Sequence, residues 1–201
     1  MTSQLATSFS AELPAWLRSE LDELAAVPRV TLDDRMALVN YLADRNWREG
    51  NGGPFAAIVV DHKTGEIVSL GVNVVLSSSL SSMHAEVTAL TLAQVAVGNW
   101  DLGADPDREL ELVVNWRPCV MCYGATMWSG VKHLVVAGDG PELETLSGFD
   151  EGPMREDWAQ QFEDRGISVT QDIGRDAALA VFRAYGEAET LVYNARGTSG
   201  A

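Results

Sequence analysis

Residues 110–137, LELVVNWRPCVMCYGATMWSGVKHLVVA, constrain the fold more than any other stretch of this chain. Two short apolar runs rich in β-branched residues flank one helical segment. Strands joined through a helix pair in parallel, by a right-handed crossover. Earlier, FAAIVV (55–60) and IVSLGVNVV (67–75) lie on either side of the turn HKTGE, a spacing that predicts a hairpin. A fifth strand is expected at ISVTQ (167–171). Helices are expected at 31–50, from His84 onward, at 155–166 and at 174–188. Thr31 is a candidate N-cap, with Asp34 three residues on, and Gly50 a candidate stop. Met36, Val39, Ala43 and Trp47 form the apolar stripe of that helix. The stretch PELETLSGFDEGP (141–153) reads as irregular, and LSSSLSSM (76–83) as a loop. The pattern predicts an α/β fold, a three-layer α/β/α sandwich around one mixed five-stranded sheet. Residues 1–30 are read as a peripheral segment with Trp16, Leu17, Leu21 and Leu24 on one helical face. Residues 31–195 are read as the main domain and 196–201 as a flexible tail.

The chemistry sits in two short motifs. HAE (84–86) opens one helix, and RPCVMC (117–122) opens another. Taken singly, His84 reads as a core histidine, and the cysteine pair as a redox or structural site. Together they offer one imidazole and two thiolates, the three protein ligands of a catalytic zinc that keeps a fourth position open. Cys119 and Cys122, three apart at a helix start, can reach one ion, and the positive end of that helix favours thiolates. Glu86 is too close to His84 to make an easy fourth ligand, but it is well placed to move a proton. The pair of motifs matches H-x-E…P-C-x-x-C, the zinc deaminase signature, with Pro118 in place. His62 and His133 fall at a turn and a strand edge and read as solvated.

GGPFAAIVV, GVNVV, SSMHAEVTAL, PCVMCYGATMWSGVKHLVVAG, GFDEGP and LVYNAR together resemble the cytidine deaminase-like superfamily. Within it the chain is most similar to the guanine deaminase and tRNA adenosine deaminase branch, and GFDEGP with LVYNAR looks like the bacterial guanine deaminases. The resemblance implies that His84, Cys119 and Cys122 bind zinc and that Glu86 shuttles protons. It places Asn73, Phe55, Ala85 and Trp128 at the substrate, the two aromatic rings lining or stacking on the base. Glu151 becomes a second acid at the purine edge, acting in its own site or, if C-terminal segments are exchanged, in that of a partner within a homodimer. Tyr193 is a candidate cap and Met83 a candidate neighbour of the substrate. Two features depart from the family pattern: Asn115, Trp116 and Arg117 stand where many relatives carry Ser-x-Glu, and Met83 stands where a small residue is usual.

The chain has 14 basic and 29 acidic residues in 201, a formal net charge of −15. Such a surface repels phosphate backbones, which argues against a nucleic-acid partner and against tRNA editing. Neither a signal peptide nor a membrane span is expected, and two cysteines in a metal-ligand pattern suit a cytoplasmic protein. The function expected is zinc-dependent hydrolytic deamination of a free purine, guanine to xanthine and ammonia, with aminotriazines as further substrates. The alternatives are a cytidine or guanosine deaminase and a non-catalytic zinc-stabilised binding module. An intact Glu86 argues against the last.

Overall fold

The computed structural model describes residues 5–194, so the expected tail at 196–201 lies outside the described residues. Five strands form one mixed sheet: β1 (Ala56–Asp61), β2 (Ile67–Val72), β3 (Leu110–Val114), β4 (His133–Val136) and β5 (Ser168–Thr170), in the order β2-β1-β3-β4-β5. β1 is antiparallel to both β2 and β3, whereas β3–β4 and β4–β5 are parallel. The hairpin and the βαβ unit are therefore as the sequence pattern predicts.

The helices are α1 (Ala15–Ala25), α2 (Leu32–Arg48), α3 (Val75–Ser78), α4 (Ala85–Val97), α5 (Val120–Ser129), α6 (Glu142–Ser147), α7 (Trp158–Glu163) and α8 (Arg175–Glu187). Strand alternation sends side chains to two separate cores. Ile58, Val60, Val113 and Val135 meet α1, α2, α6 and α8, while Val59, Leu112, Val114 and Leu134 meet α4 and α7. The result is a three-layer α/β/α sandwich. The N-terminal segment joins the first core, since α1 buries Leu17 completely.

Local signals account for most boundaries. The Thr31 hydroxyl accepts the Asp34 N–H at 3.1 Å, capping α2 as expected. Four buried residues follow the expected stripe, and Leu38 and Leu42 widen it. α4 lies so close to β2 that a Cβ on Gly71 would stand 2.5 Å from the Ala85 carbonyl oxygen. Only glycine fits there.

Three expectations need correction. The stretch 141–153 is not wholly irregular, because Glu142–Ser147 forms α6. This short helix has little intrinsic stability but packs on α8 and buries Leu143, and Gly148 ends it at φ 80°. The run 67–75 leaves the sheet after Val72, and Val75–Ser78 turns into α3, inside part of the expected loop. His62 and His133 are not freely solvated. Their rings stack at 3.8 Å, His62 Nδ1 lies 2.8 Å from Glu111 Oε2, and His133 Nε2 lies 3.2 Å from Glu109.

Glu111 points from β3 into the α2 side, where a carboxylate needs a partner. Arg35 supplies it, with Nη1 2.7 Å from Glu111 Oε1; the two side chains are 3% and 1% exposed. Arg35 also donates to the carbonyls of Arg29, Val30 and His62. This buried pair joins α2 to the middle of the sheet. Arg35→Met leaves a buried carboxylate without its cation, and about 3–5 kcal/mol of stability should be lost in urea denaturation. The double variant Arg35→Met/Glu111→Leu should lose less than Arg35→Met alone.

Candidate active site

The two motif-bearing helices begin side by side on one face of the sheet. His84 is the N-cap residue of α4 and Cys119 the N-cap residue of α5; Cys122 lies one turn into α5. Nδ1 of His84 is 3.5 Å from Sγ of Cys119. The ligand atoms of His84, Cys119 and Cys122 all lie within 4.8 Å of one another, and among the described residues no other trio of such groups converges in this way. One nitrogen and two sulfurs at this spacing fit a tetrahedral zinc with one position left for an oxygen.

The electrostatics agree with that donor set. A hydrogen bond from Cys122, with help from His84, holds the Cys119 thiol down at about 4, so it is a thiolate at neutral pH. The same hydrogen bond, together with burial, pushes Cys122 well above its usual range, so one proton is shared between the two sulfurs. A bound dication displaces such a proton. Burial opposes the charge on His84, but the contact with Cys119 and the nearby acids Glu86 and Glu151 outweigh it and raise the imidazole.

Two glutamates share the pocket. Glu86, in the first turn of α4, is buried, and burial followed by the Cys119 charge raises it to about 6. Glu151 is 8% exposed, and burial, then Cys119 and Glu86, push it up to about 8. Both sit where a carboxyl group takes or gives a proton near neutrality. Glu151 is fixed by its backbone: Val120 N–H donates to its carbonyl at 3.1 Å and Glu144 Oε1 accepts its N–H at 3.3 Å. Glu151 and Tyr193 both reach the pocket of their own chain.

A cleft of about 660 Å³, lined by Phe55, Asn73, His84, Phe149, Glu151 and Tyr193 among others, opens above these groups. A recess of about 10 Å³ continues beneath it, past Glu86, Cys119 and Arg117. That is room for about one water-sized sphere. Phe55, His84 and Glu151 border both spaces. The position follows from the sheet: Phe55 precedes β1, Asn73 follows β2, and Cys119 follows β3, all at the carboxyl end of β3, where α/β sheets place ligands.

Most expected site residues therefore meet, and two, Trp128 and Ala85, do not line the pocket. Trp128 is 84% exposed and borders a surface groove with Leu90, Thr91 and Gln94 of α4. Six residues beyond Cys122, it lies about 120° around α5 from the ligand face, so it cannot stack on a ring in this pocket. Ala85 is fully buried in the core between α4 and the sheet and lines neither the cleft nor the recess. Met83 packs on the α2-side core, and its carbonyl accepts the Val74 N–H.

Within 115–117, Asn115 serves the scaffold, whereas Trp116 and Arg117 also border the recess. Asn115 is fully buried and clamps the segment bearing Phe55, donating to the Pro54 carbonyl at 2.9 Å and accepting the Ala56 N–H at 3.2 Å. Trp116 packs edge-on against Phe182 in the core. Arg117 borders the recess, but its Nε turns to Asp139 at 2.6 Å. The sequence pattern did not single out Phe149, which packs edge-on against Phe55 and Tyr193.

Comparison with known proteins agrees with this geometry. Residues 31–138, just over half of the chain, match the family described as the cytidine and deoxycytidylate deaminase zinc-binding region. Guanine deaminase of Bacillus subtilis (strain 168) is 32% identical over 130 residues, 65% of this chain and 78% of that protein. The solved structure of a guanine deaminase from Nitrosomonas europaea is 39% identical with a TM-score of 0.82, covering 92% of this chain and all of that one. NE0047 in complex with 2,6-diaminopurine is 41% identical with a TM-score of 0.82, over 94% of this chain and 98% of that one.

Protein purified without added metal should carry one zinc per chain by elemental analysis. Cys119→Ala/Cys122→Ala should carry close to none, because a lone imidazole does not hold the ion.

Proposed function

The chain belongs to the cytidine and deoxycytidylate deaminase zinc-binding family, and from that premise we propose that it hydrolyses guanine to xanthine and ammonia. The observation that carries the reading is the pairing of two buried, upward-shifted glutamates, Glu86 and Glu151, with a His-Cys-Cys zinc site at the floor of one cleft. The likeness to guanine deaminases, over 92% of the chain for the Nitrosomonas europaea structure and 65% for the Bacillus subtilis protein, supports guanine over a nucleoside.

Zinc held by His84, Cys119 and Cys122 supplies a Lewis acid that makes water a nucleophile near neutral pH. Glu86, beside the ligands, takes the proton from the attacking water and returns it to the ring nitrogen next to the amine-bearing carbon. With a value of about 6 it can both accept and release that proton near pH 7. The N1–H and amino group of guanine present donors along one edge, and the ionised Glu151 carboxylate is the acceptor that fits them. Those donors, like a nearby dication, favour the ionised form, so substrate binding offsets the burial that otherwise keeps Glu151 protonated. The second proton of the water goes to the leaving amine, the ionised Glu151 taking it up and passing it on. Phe55 supplies an apolar wall for the base, and Asn73 a polar contact.

The reading extends to a cytoplasmic homodimer acting on a free base rather than on nucleic acid. The net charge of −15 supports the small-molecule substrate, and the thiolate ligands suit a reducing compartment. Support for a dimer comes from the α4–α5 surface. Trp128 and Gln94 border one groove there, Gln94 donates to the Trp100 carbonyl, and Trp100 and Trp128 are both largely exposed. Among the described residues no helix is long and apolar enough to cross a membrane.

An ammonia-release screen over guanine, adenine, guanosine, cytidine and aminotriazines tests the reading; guanine should give the highest kcat/KM, and a nucleoside ahead of it would overturn the assignment. Glu86→Gln should keep its zinc and lose about 10²–10⁴-fold in kcat. Glu151→Gln should lose at least about 10²-fold in kcat/KM for guanine and far less on any side activity toward cytidine, because cytosine lacks the matching pair of donors.

A further inference from the structure

The last described turn of the chain is bonded into both substrate loops. The Tyr193 hydroxyl accepts the Gly53 N–H at 2.7 Å and donates to Asn73 Oδ1 at 2.6 Å. Its ring packs edge-on against Phe149 at 5.0 Å, two residues before Glu151. Next to it, Asn194 accepts the Asp150 N–H and donates to the Gly148 carbonyl. Tyr193 and Asn194 thus brace the loop that carries Glu151 against the loop that carries Asn73.

The bond to Asn73 has a chemical consequence. An amide oxygen has two lone pairs. Oδ1 of Asn73 uses one on the Val75 N–H at 3.2 Å and the other on Tyr193. The Asn73 carbonyl is occupied as well, by Nδ2 of Asn46 at 2.7 Å. Asn73 borders the cleft, and its Nδ2 is the polar side-chain atom left to face it. Gly53 donates into the hydroxyl oxygen and so directs the tyrosine proton toward Asn73. A side chain at Gly52 would strike Asn73 O and Oδ1, and one at Gly53 would come within 2.8 Å of the hydroxyl. The two glycines before Pro54 keep this contact open.

We propose that Tyr193 is a positioning residue for recognition: its hydroxyl locks the Asn73 amide with Oδ1 turned away and Nδ2 toward the cleft, so that the site selects a purine presenting a hydrogen-bond acceptor there. The proposal rests on the guanine reading above, since it assigns Asn73 the acceptor edge of the base while Glu151 takes the donor edge. Without the hydroxyl the amide can flip, and the oxygen it then presents repels that acceptor.

The test is a double-mutant cycle on zinc-loaded protein, reading the dissociation constant of 8-azaguanine by calorimetry. Tyr193→Phe should weaken binding about tenfold, the effect of one well-placed hydrogen bond. In an Asn73→Ala background the same change should cost less than about twofold, because there is no amide left to orient. Losses that multiply in the double variant would overturn the proposal and make Tyr193 a packing residue. If Asn73→Ala binds too weakly to measure, the side-chain amide resonances of Asn73 decide. They should be sharp in the wild type and exchange-broadened in Tyr193→Phe, and unchanged resonances would overturn the proposal. Failure of the wild type to bind 8-azaguanine would instead count against the guanine reading, and the resonances would still judge Tyr193.

Discussion

Everything at this site depends on how closely α4 lies on β2. At Gly71 the helix backbone comes into contact with the strand, and no side chain larger than hydrogen fits between them. With α4 seated there, its N-cap His84 and the α5 N-cap Cys119 meet at 3.5 Å. Both helices direct N-terminal amides toward the same spot, and two helix N-termini favour the negative charge that thiolates and carboxylates bring. A bulkier residue at position 71 would strike the Ala85 carbonyl and the Ala89 backbone and push α4, with His84 at its start, away from the strand.

Burial then gives the assembled groups their chemistry. Four ionisable side chains, Glu86, Glu151, Cys119 and His84, stand around a space with little room for water. Each carboxylate is raised mainly by burial and then by the negative charge of Cys119. Neither acid has a strong ion pair of its own. Arg117, the nearest guanidinium on the recess, is engaged by Asp139 at its outer side. A pocket arranged in this way holds protons on its carboxyl groups more tightly than water would, and the metal and the substrate supply the positive charge and donors that release them. The stable ion pair of the protein, Arg35 with Glu111, lies well apart at the opposite end of β3 and ties the layers together without entering the chemistry.

Much of this was legible in the sequence because it depends on local signals. Thr31 with Asp34 marks a helix start, alternation marks the strands, and two thiols three apart at a helix start restrict what that helix can bind. The errors fall where the deciding contact is distant. His62 and His133 look solvated until β1 and β4 bring them together around β3. Residues 142–147 look irregular because α8, more than 30 residues on, is what stabilises them. Trp128 failed for a local reason: helix phase turns it away from the ligand face, which a count from Cys122 would have revealed. Asn115 stands out in the sequence only as a departure from the family pattern, whereas its amide bonds to the backbone on either side of Phe55. Tyr193 reaches Asn73 across 120 positions, and no local pattern announces such a contact.

A hydrolytic site replaces the amine of guanine with oxygen from water, not from another donor. Turnover of guanine by the zinc-loaded wild-type protein in ¹⁸O-labelled water tests it most directly. One ammonia should be released per xanthine formed, with a single labelled oxygen in each xanthine by mass spectrometry. Ammonia without xanthine, or xanthine without the label, would contradict it.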